Sequence, residues 1–101
     1  MRAPARHPAV NAEIRAAALS YEERCPGLGA RFVEEVQSVV RAIGNAPLRY
    51  AVRFADVRRA NLTRFPFAVW FVEAEGAVYV LGVLHHKRDY RPVLERRHPM
   101  E

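Results

Sequence analysis

FAVWFVEAEGAVYVLGVLH (67–85) decides the fold. β-Branched and aromatic residues fill two runs, 67–74 and 77–85, separated only by Glu75-Gly76, a pair short enough for a tight hairpin turn. The first run is apolar on both parities, Phe67, Val69 and Phe71 against Ala68, Trp70 and Val72, which predicts a central strand covered on both faces. Upstream, a further strand lies within VRRANLT (57–63), and the 67–74 run begins after Pro66. Three strands are therefore legible, all joined as antiparallel neighbours.

Before residue 49 the period changes from two to 3.6. In AVNAEIRAAALSYEER, Val10, Ile14, Ala17, Ala18 and Tyr21 fall on one helical face, and Pro26-Gly27 must end the helix. Leu28, Phe32, Val36, Val39, Val40 and Ile43 form a second stripe, stopped by Gly44-Asn45 and Pro47. Two amphipathic helices with a short join form a hairpin whose apolar faces need a platform, and the strands supply it. Asp89 ahead of Tyr90-Arg91-Pro92 is placed to cap a short last helix. The expected fold is α+β: an N-terminal helical hairpin on one face of an antiparallel sheet, a short C-terminal helix, and one domain over residues 1–101. Its core should contain Ile14, Phe32, Val36, Val39, Ile43, Val69, Phe71 and Val80.

Composition narrows the function. Half of the 101 residues are hydrophobic, enough for a core without disulfide or metal support. The single cysteine, Cys25, allows no internal disulfide and no zinc-ligand spacing, which fits a reducing cytoplasm. No apolar run reaches signal-peptide or bilayer-spanning length, so a cytoplasmic location is expected. The net charge of +5 is concentrated in the second half: ten Lys/Arg face six Asp/Glu over 49–101, against six Arg and five Glu over 1–48. Such a surface favours phosphate backbones or an acidic protein, with a merely solvated basic surface as the competing reading. His85 and His86 are adjacent and point opposite ways on a strand, so no metal site is expected, and no glycine-rich phosphate loop calls for a cofactor.

Three strings, in this order and spacing, resemble the RelE/ParE toxin superfamily of type II toxin–antitoxin systems, in particular its ParE-like, plasmid-stabilisation branch. They are YEERCPGLGARFVEEV (21–36), RFPFAVWF (64–71) and VLGVLHHKRDYRPVLERR (80–97), and the resemblance covers roughly residues 7–97. Members usually open with a strand, yet MRAPARHP, with Pro4 and Pro8, opposes a long one. The usual Asp-Pro and later Trp are here Asp89-Tyr90 and Leu94.

The resemblance implies a growth-arresting toxin neutralised by a cognate antitoxin carrying an acidic segment. RelE-like members cleave messenger RNA on the ribosome, whereas ParE-like members poison DNA gyrase without cutting; a degenerate module that binds only its antitoxin is a third reading. Metal-free RNA cleavage needs a base for the 2′-hydroxyl, an acid for the leaving oxygen and cations for the phosphate. Arg64, His85, His86, Arg88 and Tyr90 are the candidate catalytic set. Arg53, Arg58, Arg59, Lys87 and Arg91 are candidates for contacting nucleic acid or another target. A regular first strand would put Arg58 and Arg64 on one face and Arg59 on the other. Each of these side chains competes with an ordinary surface role, and Trp70, Phe71 and Tyr79 read as core.

Overall fold

The computed structural model describes residues 3–99. In chain order its elements are β1 (Ala5–Arg6), α1 (Ala9–Arg24), α2 (Leu28–Asn45), a 3₁₀ turn (Pro47–Arg49), β2 (Val52–Phe54), β3 (Val57–Asn61), β4 (Phe67–Ala74), β5 (Ala77–His85) and α3 (Tyr90–Arg97). The strands form one sheet in the order β1-β5-β4-β3-β2.

The helical hairpin is closed by its sequence. Gly27 adopts φ 89, a left-handed conformation that side chains resist. Glu22 of α1 accepts the N–H groups of Gly27 and Gly29 at 2.9 and 3.0 Å, so a carboxylate from the first helix caps the second. At Gly29 a Cβ would lie 2.5 Å from the Ala18 carbonyl oxygen, so only glycine permits this helix contact.

The β4–β5 hairpin turns at Glu75 and Gly76, both at positive φ (53 and 83), with Ala74 opposite Ala77. Glu73 holds the turn by accepting the Gly76 N–H at 2.8 Å. Further along, Trp70 faces Gly82 while Phe71 faces Val80, so Leu81 is an extra residue in β5. The bulge resets the alternation: Val80 and Val83 face the helices, Leu81 and Leu84 the opposite side.

The sheet thus separates two cores. Phe32, Val36, Val40 and Ile43 of α2 meet Val69, Phe71 and Val80 on one face. Val93 and Leu94 of α3 cover Val57, Trp70, Leu81 and Leu84 on the other, which explains why β4 is apolar on both parities. Of the expected core, Ile14 and Val39 are only partly buried; the other six are buried.

Two readings need correction, and one strand is added to the three read from the sequence. The sheet is mixed, because β1 runs parallel to β5 (Ala5 beside Tyr79, Arg6 beside Val80); Pro4 and Pro8 bracket this strand and keep it to two residues. A further strand, β2, lies at the opposite edge, too short and too bulged for a periodic signal. Finally, β3 ends at Asn61, so Arg64 occupies a connection rather than a strand and shares no parity with Arg58.

The candidate target-facing surface

Alternation along β3 divides its arginines. Arg58 turns back to the chain, its guanidinium donating to the Tyr50 carbonyl at 2.7 Å, and Tyr50 packs edge-on against Phe71 of the helix-side core. Arg59 lies on the other face, 5.6 Å above the Trp70 ring. Trp70 stacks on Tyr90 at 4.3 Å, Tyr90 lies 5.9 Å from Phe54, and the Arg91 guanidinium is 4.5 Å above Phe54. The result is a ladder, Arg59–Trp70–Tyr90–Phe54–Arg91, that runs over the second face of the sheet with a cation at each end.

Beside the Arg59 end, Arg59, Asn61, Trp70, Leu84, His85, His86 and Tyr90 line a cleft of about 210 Å³. Its rim is set by the turn after β5, where the His86 N–H bonds to the Pro66 carbonyl and the Arg88 N–H to that of His85. His86, Lys87 and Arg88 are exposed there. At the other end of the ladder, Phe54, Ala55, Asp56, Arg91, Glu95 and His98 border a second hollow, with His98 Nε2 2.6 Å from Asp56.

His85 is engaged on its other side as well, and Arg64 and Arg53 lie away from this cleft. The His85 ring packs edge-on against Phe67, which belongs to the helix side, and its Nδ1 accepts the Lys87 N–H at 3.0 Å. Arg64 lines a separate cleft with Tyr21, Leu28, Arg31 and Glu35. There the Glu35 carboxylate accepts the Thr63 hydroxyl and the N–H groups of Thr63 and Arg64, fixing the β3–β4 connection to α2. Burial opposes ionisation of Glu35, but these hydrogen bonds and the Arg64 charge outweigh it and hold its pKa below the usual carboxylate range. Arg53 is exposed on β2. Among the five candidate catalytic residues, therefore, only His85, His86 and Tyr90 border one cleft, and the ring of His85 is engaged with Phe67.

The sequence also hid one polar pair. Glu13 of α1 and Arg97 of α3 meet at 2.7 Å, each side chain only 14% exposed. Glu13 accepts the Val83 N–H at 3.1 Å and Arg97 donates to the Leu81 carbonyl at 3.0 Å. Together they satisfy the β5 edge beyond β1. Eighty-four positions separate the two residues, so no local pattern announces the pair. Trp70 and Asn61 were missed as cleft residues for another reason: a mid-strand tryptophan among aliphatics carries a core signal, and it is indeed 3% exposed.

No group of three or more His, Cys, Asp or Glu placed to hold a metal occurs among the described residues. Nor is any described helix long and apolar enough to cross a membrane.

Fold and surface together define a small α+β protein with a helical hairpin on one side of its sheet and a cation-ended aromatic ladder on the other. Residues 6–90 match the family described as ParE toxin of type II toxin–antitoxin system, parDE, and the chain belongs to that family. In structure it is similar to a chain of the chromosomal ParDE toxin–antitoxin system from P. aeruginosa, with a TM-score of 0.72 and 19% identity over 84% of this chain and 96% of that one. No curated protein sequence matches it.

Proposed function

We propose that this toxin arrests growth by binding DNA gyrase, without cutting nucleic acid, and that an antitoxin with an acidic segment neutralises it. The observation that carries the reading is the dispersal of the candidate catalytic set. Arg64 lines a separate cleft against α2 and Arg88 lines neither, the His85 ring is engaged edge-on with Phe67, and Tyr90 is held between Trp70 and Phe54. Acid, base and phosphate-binding cation must meet at one scissile bond, and the two candidate phosphate-binding arginines, Arg64 and Arg88, do not line the cleft that holds the histidines and Tyr90. Membership of the ParE family supports the same target class.

The antitoxin has a suitable seat between α1 and α2, a groove of about 510 Å³ lined by Ile14, Ala18, Leu19, Ala30 and Val33, among others. Leu19 is 59% exposed there. An amphipathic acidic segment that folds on binding would cover this apolar groove and neutralise part of the +5 charge. Synthesis and action in the cytoplasm belong to this reading.

One observation favours a second reading, ribosome-dependent mRNA cleavage: Arg59, Asn61, His85, His86 and Tyr90 do border a single cleft. Expression from a tight promoter, followed by separate measurement of plasmid supercoiling and mRNA integrity, tests the two. The gyrase reading expects supercoiling lost with mRNA intact. Codon-spaced mRNA cleavage that disappears in His86→Ala would replace it with the nuclease reading. Absence of any growth defect would leave a module that binds only its antitoxin.

A further inference from the structure

We infer that the Arg59 end of the aromatic ladder holds the phosphate backbone of duplex DNA, so that this toxin engages gyrase together with the DNA that gyrase carries. The inference rests on the gyrase reading above and adds a second component to its target.

Three cations gather at this end from two elements. The Arg59 guanidinium lies 5.6 Å above the Trp70 ring, which is itself stacked on Tyr90 at 4.3 Å. A guanidinium seated on a ring still donates in its own plane, its fork matches two phosphate oxygens, and it has less freedom left to lose on binding. Lys87 and Arg88 are exposed on the turn after β5, which is fixed by the bonds from the His86 N–H to Pro66 and from the Arg88 N–H to His85. Between them opens the cleft of about 210 Å³, where Asn61 and His86 add neutral donors. No carboxylate lines it. Asp56 and Glu95 border the hollow at the Arg91 end instead, and Asp89, next to Arg88 in the chain, sets one negative charge against three positive ones.

The surroundings select the occupant. Among the described residues the exposed large hydrophobics are Leu19, Leu48 and Val52. They lie on α1, in the 3₁₀ turn, and on β2 opposite Arg58, which turns to the helix side, so none belongs to the ladder face. The rings of that face are sealed: Trp70 and Phe54 are only 3% and 8% exposed. A protein interface centres on apolar contact, whereas a surface that binds DNA is polar and cationic. Arg59, Lys87 and Arg88 offer charge without an apolar centre, which suits a duplex, whose backbone presents one negative charge per roughly 1.7 Å of axis. Base edges are not required, so the contact is independent of sequence.

The test titrates the full chain into a short fluorescent DNA duplex at several salt concentrations. Each phosphate contact contributes about −0.9 to the slope of log K against log salt, so Lys87→Gln with Arg88→Gln should flatten the slope by about two, and adding Arg59→Gln by about one more. Lys87 and Arg88 are exposed, so the double variant keeps its fold, which circular dichroism checks. Arg24→Gln, Arg31→Gln and Arg41→Gln together remove the same charge from the helical side and should leave the slope within about half a unit of the native one. Equal flattening by both triple variants would reduce the binding to the diffuse attraction of a +5 chain and overturn the inference. So would poly-glutamate competing as well as unlabelled duplex, which would give the surface to an acidic protein, or single-stranded RNA binding more tightly than the duplex, which would give it to the nuclease reading. With purified gyrase, the native chain should bind the gyrase–DNA complex roughly tenfold more tightly than gyrase alone, and Lys87→Gln with Arg88→Gln should erase the difference. Equal affinity of the native chain for gyrase with and without DNA overturns the DNA contact and leaves the gyrase reading intact. The gyrase reading fails separately, if supercoiling is untouched while the duplex slopes follow the pattern above; the DNA surface then stands without it.

Discussion

At the scale of single residues, polar side chains do the work that loops and missing strands leave undone. Glu13 and Arg97 are each 14% exposed, so removing one leaves the other partly desolvated without its counter-charge. Arg97→Met should cost about 2–3 kcal/mol in chemical denaturation, and adding Glu13→Gln should recover part of that loss in a double-mutant cycle. Glu35 makes the second such contact, and its effect has a sign. Its folded pKa lies below the ordinary value, so its contribution to stability is complete above the ordinary carboxylate range and is lost as pH falls through the folded pKa. Glu35→Gln should therefore lower stability at neutral pH and flatten its acid dependence; equal acid slopes for both proteins would contradict the assignment. Neither contact was legible beforehand. Glu35 meets Thr63 across 28 positions, and a glutamate on a helix surface reads the same whether or not a loop lies above it.

At the scale of elements, the sequence was most informative where one period runs long. The 18-residue α2 carries its buried stripe at Phe32, Val36, Val40 and Ile43, and β4 and β5 keep strand composition throughout, so their ranges were readable. Two-residue β1 and three-residue β2 contain too few positions for alternation to register, and their pairing partners lie far along the chain. The candidate site suffered from the same cause. Once β3 ends at Asn61, parity no longer places Arg64, and the single extra residue at Leu81 changes which face each later residue of β5 meets. The helix join offers a direct check on packing. A methyl group at residue 29 would press on the Ala18 carbonyl, so Gly29→Ala should separate α1 from α2 and cost roughly 1–3 kcal/mol in thermal or chemical unfolding. Gly29 is a packing position rather than a turn position, and Gly27 is the reverse: it has positive φ and no neighbour within 4 Å of its Cβ direction.

At the scale of the whole molecule, charge and topology divide the labour between faces. Arg59 and Arg91 end the aromatic ladder on one side of the sheet, and the apolar groove between α1 and α2 opens on the other. A partner seated in that groove leaves the ladder uncovered unless it also wraps an edge. Association with an acidic partner should slow as ionic strength rises, because steering over this +5 chain is screened beyond roughly 10 Å at 0.1 M salt. Stopped-flow binding at two salt concentrations measures it, and a rate insensitive to salt would assign recognition to apolar contact alone. The Glu13–Arg97 pair bears on biosynthesis as well. Chain synthesis runs from the N-terminus, so Glu13 and the β5 backbone are made before the arginine that completes the seal. At about 5–20 residues per second, the 14 positions between Val83 and Arg97 take roughly one to three seconds to add. Premature termination in this interval would release a chain with α1 and β5 in place and a raw sheet margin, a natural recognition mark for chaperones and proteases.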